Sequence, residues 1–243
     1  MLLRAGCSSD QSRPTQVALT NNTSMDEDTL VGRSGALEAL AHVICKGNEE
    51  GKVAAASALA NLIANSEANK KMIIAMPDVI PAILNLSTMS EKGAAVSARA
   101  LLNLVSNKEA VLLVCKIDGA ITKLGKLVST GRMDTKEDAA RVFNTMVAQG
   151  KEACTQVAKH DQVLHALKSV ARANNCTGEA RLWALSALQG LSRCTRVRQT
   201  LLRQQIVEEA CLPVLTASNE MLGEWAEAMQ VCVFMCVCLC VCV

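Results

Sequence analysis

The sequence predicts an all-α protein folded as a solenoid of three-helix repeats, and three observations carry that expectation. One segment recurs about every 42 residues, a second apolar segment recurs in phase with it, and the apolar residues are mostly helix formers. Of the 243 residues 50% are apolar but only 2% aromatic, with no Tyr, two Trp and two Phe. A core so poor in aromatics must be built from Ala, Leu, Val, Ile and Met, which favours helices over sandwiches and barrels. Thirteen Gly, four Pro and 20% charge argue against a loop-rich or disordered chain.

In chain order, residues 1–13 carry no repeat landmark and are expected to be disordered. A partial unit over 14–25 enters at its long helix, near Pro14 to Asn22. Repeats are then expected over about 26–66, 67–107, 108–150, 151–194 and 195–230, so that a solenoid of about five units spans 14–230. The first landmark is Ala18-Leu19-Thr20-Asn21, Ala58-Leu59-Ala60-Asn61, Ala100-Leu101-Leu102-Asn103 and Arg141-Val142-Phe143-Asn144, whose Asn residues lie 40, 42 and 41 apart. Trp183-Ala184-Leu185-Ser186-Ala187 and, more weakly, Trp225-Ala226-Glu227-Ala228-Met229 continue it. The second landmark is an apolar helix opened by a small or acidic residue, at Gly35, Asp78, Gly119, Asp161 and Glu209. A period therefore reads as a short, a medium and a long helix. In one long helix Ala94, Ala98, Leu101, Leu102 and Val105 fall at i, i+4, i+7, i+8 and i+11, a single apolar stripe. Turn signals at Lys46-Gly47-Asn48, Thr130-Gly131-Arg132 and Ala173-Asn174-Asn175 separate the elements. Pro77, Pro81 and Pro213 sit where helices begin or end.

The two termini read differently. Met1 to Cys7 is too short in apolar length for a signal peptide and is interrupted by Arg4. The tail, 231–243, is thirteen apolar residues in which Val and Cys alternate around Phe234, Met235 and Leu239, short of the roughly 18 to 20 that cross a bilayer as a helix. Alternating GTG and TGT codons would encode it, so read-through into a simple dinucleotide repeat is the favoured origin. A membrane-associating tail and a thiol cluster for a soft metal are the alternatives, and a membrane partner is expected only if the tail is genuine. Of the twelve Cys, five lie in this tail, and the other seven form no C-x-x-C pair. They read as small hydrophobes in a reducing compartment, the cytoplasm or the nucleus. Against 23 acidic residues, 25 Lys and Arg leave +2, too small a field to recruit nucleic acid.

A period with two landmarks in phase resembles the armadillo repeat family over about residues 14–230. That resemblance implies a right-handed α-solenoid of three-helix units whose long third helices line a concave groove. The chain is then expected to be a fragment of a longer solenoid, since no polar capping repeat is visible at either end.

The resemblance also implies a site. Asn61, Asn103 and Asn144 would form a ladder along the groove, donating to and accepting from the backbone of a bound peptide. Helices pack roughly 8 to 10 Å apart and an extended chain advances at most about 3.3 to 3.6 Å per residue, so each Asn would meet the ligand about every third residue. Members that bind basic localisation signals carry a Trp four residues before the Asn; here Ser57, Arg99 and Ala140 stand there. Where Trp occurs, at Trp183 and Trp225, the Asn position reads Ala187 or Met229. Arg99 and Arg141 would repel a basic peptide, so an acidic or mixed-charge protein segment is expected over a basic localisation signal. The alternative for the Asn residues is that they bond loops or backbone inside the protein. A second cluster, Arg193, Arg196, Arg198 and Arg203, is a candidate patch for an anionic partner, or a solvated turn. His160 and His165 are five apart, which turns them about 140° from one another on a helix and argues against a shared metal. The sequence holds no G-x-S-x-G, P-loop, H-E-x-x-H or G-x-G-x-x-G, so no catalytic residue, cofactor, metal or small-molecule substrate is expected. The function expected is a non-catalytic interaction scaffold. The alternative is a structural spacer within a larger multidomain protein.

Overall fold

The computed structural model describes residues 35–173 and 176–194, with 197, 198, 200, 201 and 205 beyond them. Among the described residues are eleven helices and no strand. The first layer holds the medium helix α1 (Ala36–Lys46) and the long helix α2 (Glu49–Ala64). The second holds α3 (Glu67–Ile74), α4 (Val79–Leu86) and α5 (Glu91–Leu104). The third holds α6 (Lys108–Lys116), α7 (Ala120–Thr130) and α8 (Met133–Ala148). The fourth holds α9 (Lys151–Val157), α10 (Asp161–Arg172) and α11 (Gly178–Ser192). A short, a medium and a long helix follow one another in the third and fourth layers as the landmarks predict, whereas in the second α3 and α4 are both 8 residues long. Asn21, Trp225, the partial unit 14–25 and the tail 231–243 lie outside the described residues.

Local chemistry sets the helix starts. Asn48, Ser66, Ser90, Asn107 and Thr177 precede α2, α3, α5, α6 and α11, and each side-chain oxygen accepts a backbone N–H of the first turn. The medium helices α1 and α7 follow Gly35 and Gly119, whose φ of 77° and 72° is left-handed backbone that glycine adopts without strain. Asp78 and His160 take the same place before α4 and α10.

The long helices pack side by side, α2 on α5, α5 on α8 and α8 on α11, and the medium helices back them. Their buried positions define the stacking. In α2 Ala55, Ala56, Ala58, Leu59, Leu62 and Ile63 are buried, along with Ala60, and these six positions recur as Ser97, Ala98, Ala100, Leu101, Leu104 and Val105. In α8 they are Ala139, Ala140, Val142, Phe143, Met146 and Val147, and in α11 Ala184, Leu185, Ala187, Leu188, Leu191 and Ser192. Leu59, Leu101, Phe143 and Leu188 are therefore equivalent, at steps of 42, 42 and 45 residues. Each such side chain, wholly removed from water, stabilises the stack by about 1.5–3 kcal/mol.

The short helices tie layers through polar contacts. Lys70, itself buried, donates from Nζ to Glu67 Oε1 (2.7 Å) and to Ser106 Oγ of the next turn (2.8 Å). Asn107 donates to Glu67 Oε2 at 3.3 Å. These bonds, that from Lys70 first, hold the Glu67 carboxyl below its ordinary range.

Candidate functional site

The buried register moves the expected ladder. Asn61 and Asn103 are equivalent, but 42 residues past Asn103 stands Thr145, not Asn144. Asn144 occupies the half-buried place of Leu102, one residue and about 100° round the helix from the ladder. The fourth layer has Gly190 at the ladder position, and no larger residue fits there as packed: a Cβ would lie 2.5 Å from Val147 Cγ1. Ala187, which the Trp183 alignment puts at the Asn position, is wholly buried. The short pattern that carries the true phase is Ala56-Ser57-Ala58-Leu59, Ala98-Arg99-Ala100-Leu101, Ala140-Arg141-Val142-Phe143 and Leu185-Ser186-Ala187-Leu188. Its second residue faces out of the core in every layer, being exposed in the first three and half-buried in the fourth.

Of the expected ladder, Asn61 is exposed, whereas Asn103 is half-buried and donates from Nδ2 to the carbonyl of Ala60 in the preceding layer at 2.8 Å. Thr145 donates from Oγ1 to its own helix at the Arg141 carbonyl (2.9 Å). The ladder is thus one outward amide at Asn61 and one amide half committed to the protein.

The two arginines make the same reach with different targets. Arg99 donates from Nε to Asp138 Oδ2 of the next layer at 2.8 Å. The Asp138 hydrogen bond, then its charge, with Asp134 and Glu137 adding, raises the Arg99 guanidinium above its already high ordinary value. Arg141 sets its guanidinium carbon 4.9 Å from the centre of the Trp183 ring, also in the next layer, a cation–π contact. In register terms Asp138 and Trp183 are one position, three residues before Arg141 and Ser186. Sequence reasoning missed both partners. The spacing of about one period between Arg and partner was the available signal, legible only once the phase is known.

A cleft of about 220 Å³ opens between α2, α5 and the start of α8. Ala60, Ala95 and Val96 supply its apolar lining, and Ser57, Asn61, Arg99, Asp134, Thr135 and Asp138 its polar one. Asp134 Oδ1 accepts the N–H of Thr135 at 2.8 Å, and among the described residues Asp134 forms no ion pair. A second cleft, about 280 Å³, lies away from these helices between α6 and α9, beside Lys108, Leu112, Gln149 and Lys151.

The arginine patch is described only in part. Arg193 is exposed, Arg198 donates from Nε to the Ser192 carbonyl at 3.1 Å, and Arg196 and Arg203 lie outside the described residues. His160 Nδ1 lies 3.5 Å from Thr122 Oγ1 and His165 is exposed. Among the described residues no group of three His, Cys, Asp or Glu could hold a metal ion, and no helix is long and apolar enough to cross a membrane. Cys45, Cys115, Cys154, Cys176 and Cys194 are free thiols, and burial pushes those of Cys115 and Cys154 up, away from the reactive thiolate.

Stacked three-helix layers with long helices lining one face define an armadillo-type α-solenoid, and solved structures share this fold. A designed armadillo repeat protein matches with a TM-score of 0.78 at 18% identity, over 96% of this chain and 95% of its own. Computationally designed armadillo repeat proteins for modular peptide recognition match with a TM-score of 0.79 at 17% identity, over 93% and 90% of the two chains. A designed armadillo repeat protein in complex with the peptide (KR)4 matches with a TM-score of 0.75 at 17% identity, over 90% of each chain. No protein-family model and no curated protein matches the chain.

Proposed function

We propose that this chain is a non-catalytic scaffold whose long helices α2, α5 and α8 hold an extended, mixed-charge segment of a partner protein. The observation that carries the reading is the cleft between α2 and α5, which sets an outward amide, Asn61, beside an apolar lining and charged groups of both signs. Such a surface pairs with the backbone through the amide and sorts side chains by charge. The fold likeness to designed proteins for peptide recognition supports it. The acidic preference expected from Arg99 narrows to a mixed one, because Asp138 already answers that charge, while no described carboxylate pairs with Arg141. The free cysteines suit a reducing compartment, cytosol or nucleus. The competing reading, a structural spacer, draws on the Asn103 bond to Ala60.

Panning a random octapeptide display library against the full chain tests the reading. Enriched peptides, remeasured by fluorescence anisotropy, should bind about tenfold or more weakly to an Asn61→Ala, Asn103→Ala double variant that keeps its helicity by circular dichroism. Equal binding to that variant, or no enrichment at all, overturns it.

A further inference from the structure

We infer that the groove, over its described residues, has an open side-chain site in the cleft between α2 and α5, and that its occupant is a Lys or Arg side chain of the bound segment. The inference rests on the groove reading above and assigns the chemistry of its ligand.

The argument is one of equivalent positions. Ser57, Arg99 and Arg141 share a register position, and each arginine sends its guanidinium to the position three residues before its equivalent in the next layer. There it meets Asp138 in one case and Trp183 in the other. In the layer before, the same target is Val96, and Ser57 is too short to reach it. The place that a cationic head fills twice further along the groove is left as the cleft of about 220 Å³. The protein's own arginines therefore show what kind of side chain these sites accept.

The cleft's chemistry agrees. Ala60, Ala95 and Val96 offer small apolar surface to a methylene stem, while the charged head stays at the rim. On that rim two carboxylates, Asp134 and Asp138, face one guanidinium, so the cleft carries a net charge of −1. Asp138 is committed to Arg99, and Asp134 is the carboxylate left for an incoming cation. An acidic side chain would approach Arg99 against both carboxylates. Asn61, on the same rim, is placed to pair with the ligand's backbone beside the inserted residue.

The test uses the octapeptides enriched on the full chain. They should share one fixed Lys or Arg, and replacing it by norleucine should weaken binding about tenfold, the loss of one well-placed charged contact. Ser57→Arg, an exposed helix position given a good helix former, should fill the cleft from within and weaken the same peptides about tenfold or more with helicity unchanged. Asp134→Asn should weaken them about threefold, as for an exposed ion pair, with an effect that shrinks at high salt. Peptides that lack a fixed basic residue and bind Ser57→Arg as well as the unaltered chain would overturn this inference. If such peptides still lose affinity on the Asn61→Ala, Asn103→Ala variant, the groove reading survives without it. A library that yields no binder overturns both.

Discussion

The start of the described long-helix face, over α2 and α5, and its far end, over α8 and α11, are built on the same backbone pattern, yet one is open and the other is covered. At the start Ser57 leaves Val96 uncovered beside a cleft. At the far end Arg141 lies across Trp183, and Gly190 stands where Asn61 stands at the start. In a solenoid each layer touches only its neighbours, so a single outward side chain decides whether the surface between two layers is open or covered. The comparison teaches that repetition of the fold is not repetition of the site.

The largest effect should come from breaking the register on which the comparison rests. Leu101→Asp would bury an unpaired charge at the position shared with Leu59, Phe143 and Leu188 and should cost roughly 4 kcal/mol or more. Urea unfolding followed by circular dichroism checks it, and a Leu101→Asp variant as stable as the parent would mean that the layers are wrongly phased. Gly190→Ala comes next. Its Cβ would meet Val147 Cγ1 at 2.5 Å, so α8 and α11 must part and stability should fall by about 1–3 kcal/mol. Hydrogen exchange should localise that loss to the last two described layers, leaving α1 to α4 protected as before. Smallest is Arg141→Ala, which removes a half-exposed cation–π contact of about 0.5–1 kcal/mol. It should make the far end resemble the start: Trp183 fluorescence should respond to peptide, and octapeptides with a second basic residue should gain affinity about threefold. An unresponsive Trp183 would show that removing the arginine is not enough to open the surface.

The helices and their order were legible in the residues because helix formation is local. Capping residues at Asn48, Ser66 and Ser90, left-handed glycines at Gly35 and Gly119, and the stripe through Ala98, Leu101 and Val105 each act within a turn or two of chain. Of the proposed site, Asn61 and Arg99 were legible by type and spacing, as was Arg141 beside Trp183 outside it. Asn144 was misplaced because aligning on a shared Asn tolerates a slip of one residue, and on a helix that slip is a rotation of about 100°. Aligning on the buried Ala and Leu pattern would have avoided it, since core positions carry the packing that sets the phase.

By itself, then, the sequence determined the all-α class, the period near 42 residues and the side chains that fill the core, all properties of short segments and their repetition. Only the tertiary structure decided that Arg99 answers Asp138, that Arg141 covers Trp183, and that the surface beside Ser57 stays open. Those contacts join residues about 40 positions apart, and which of them meet depends on how far each long helix is turned and slid against the next. That angle comes from the packing of whole layers, which no single repeat contains.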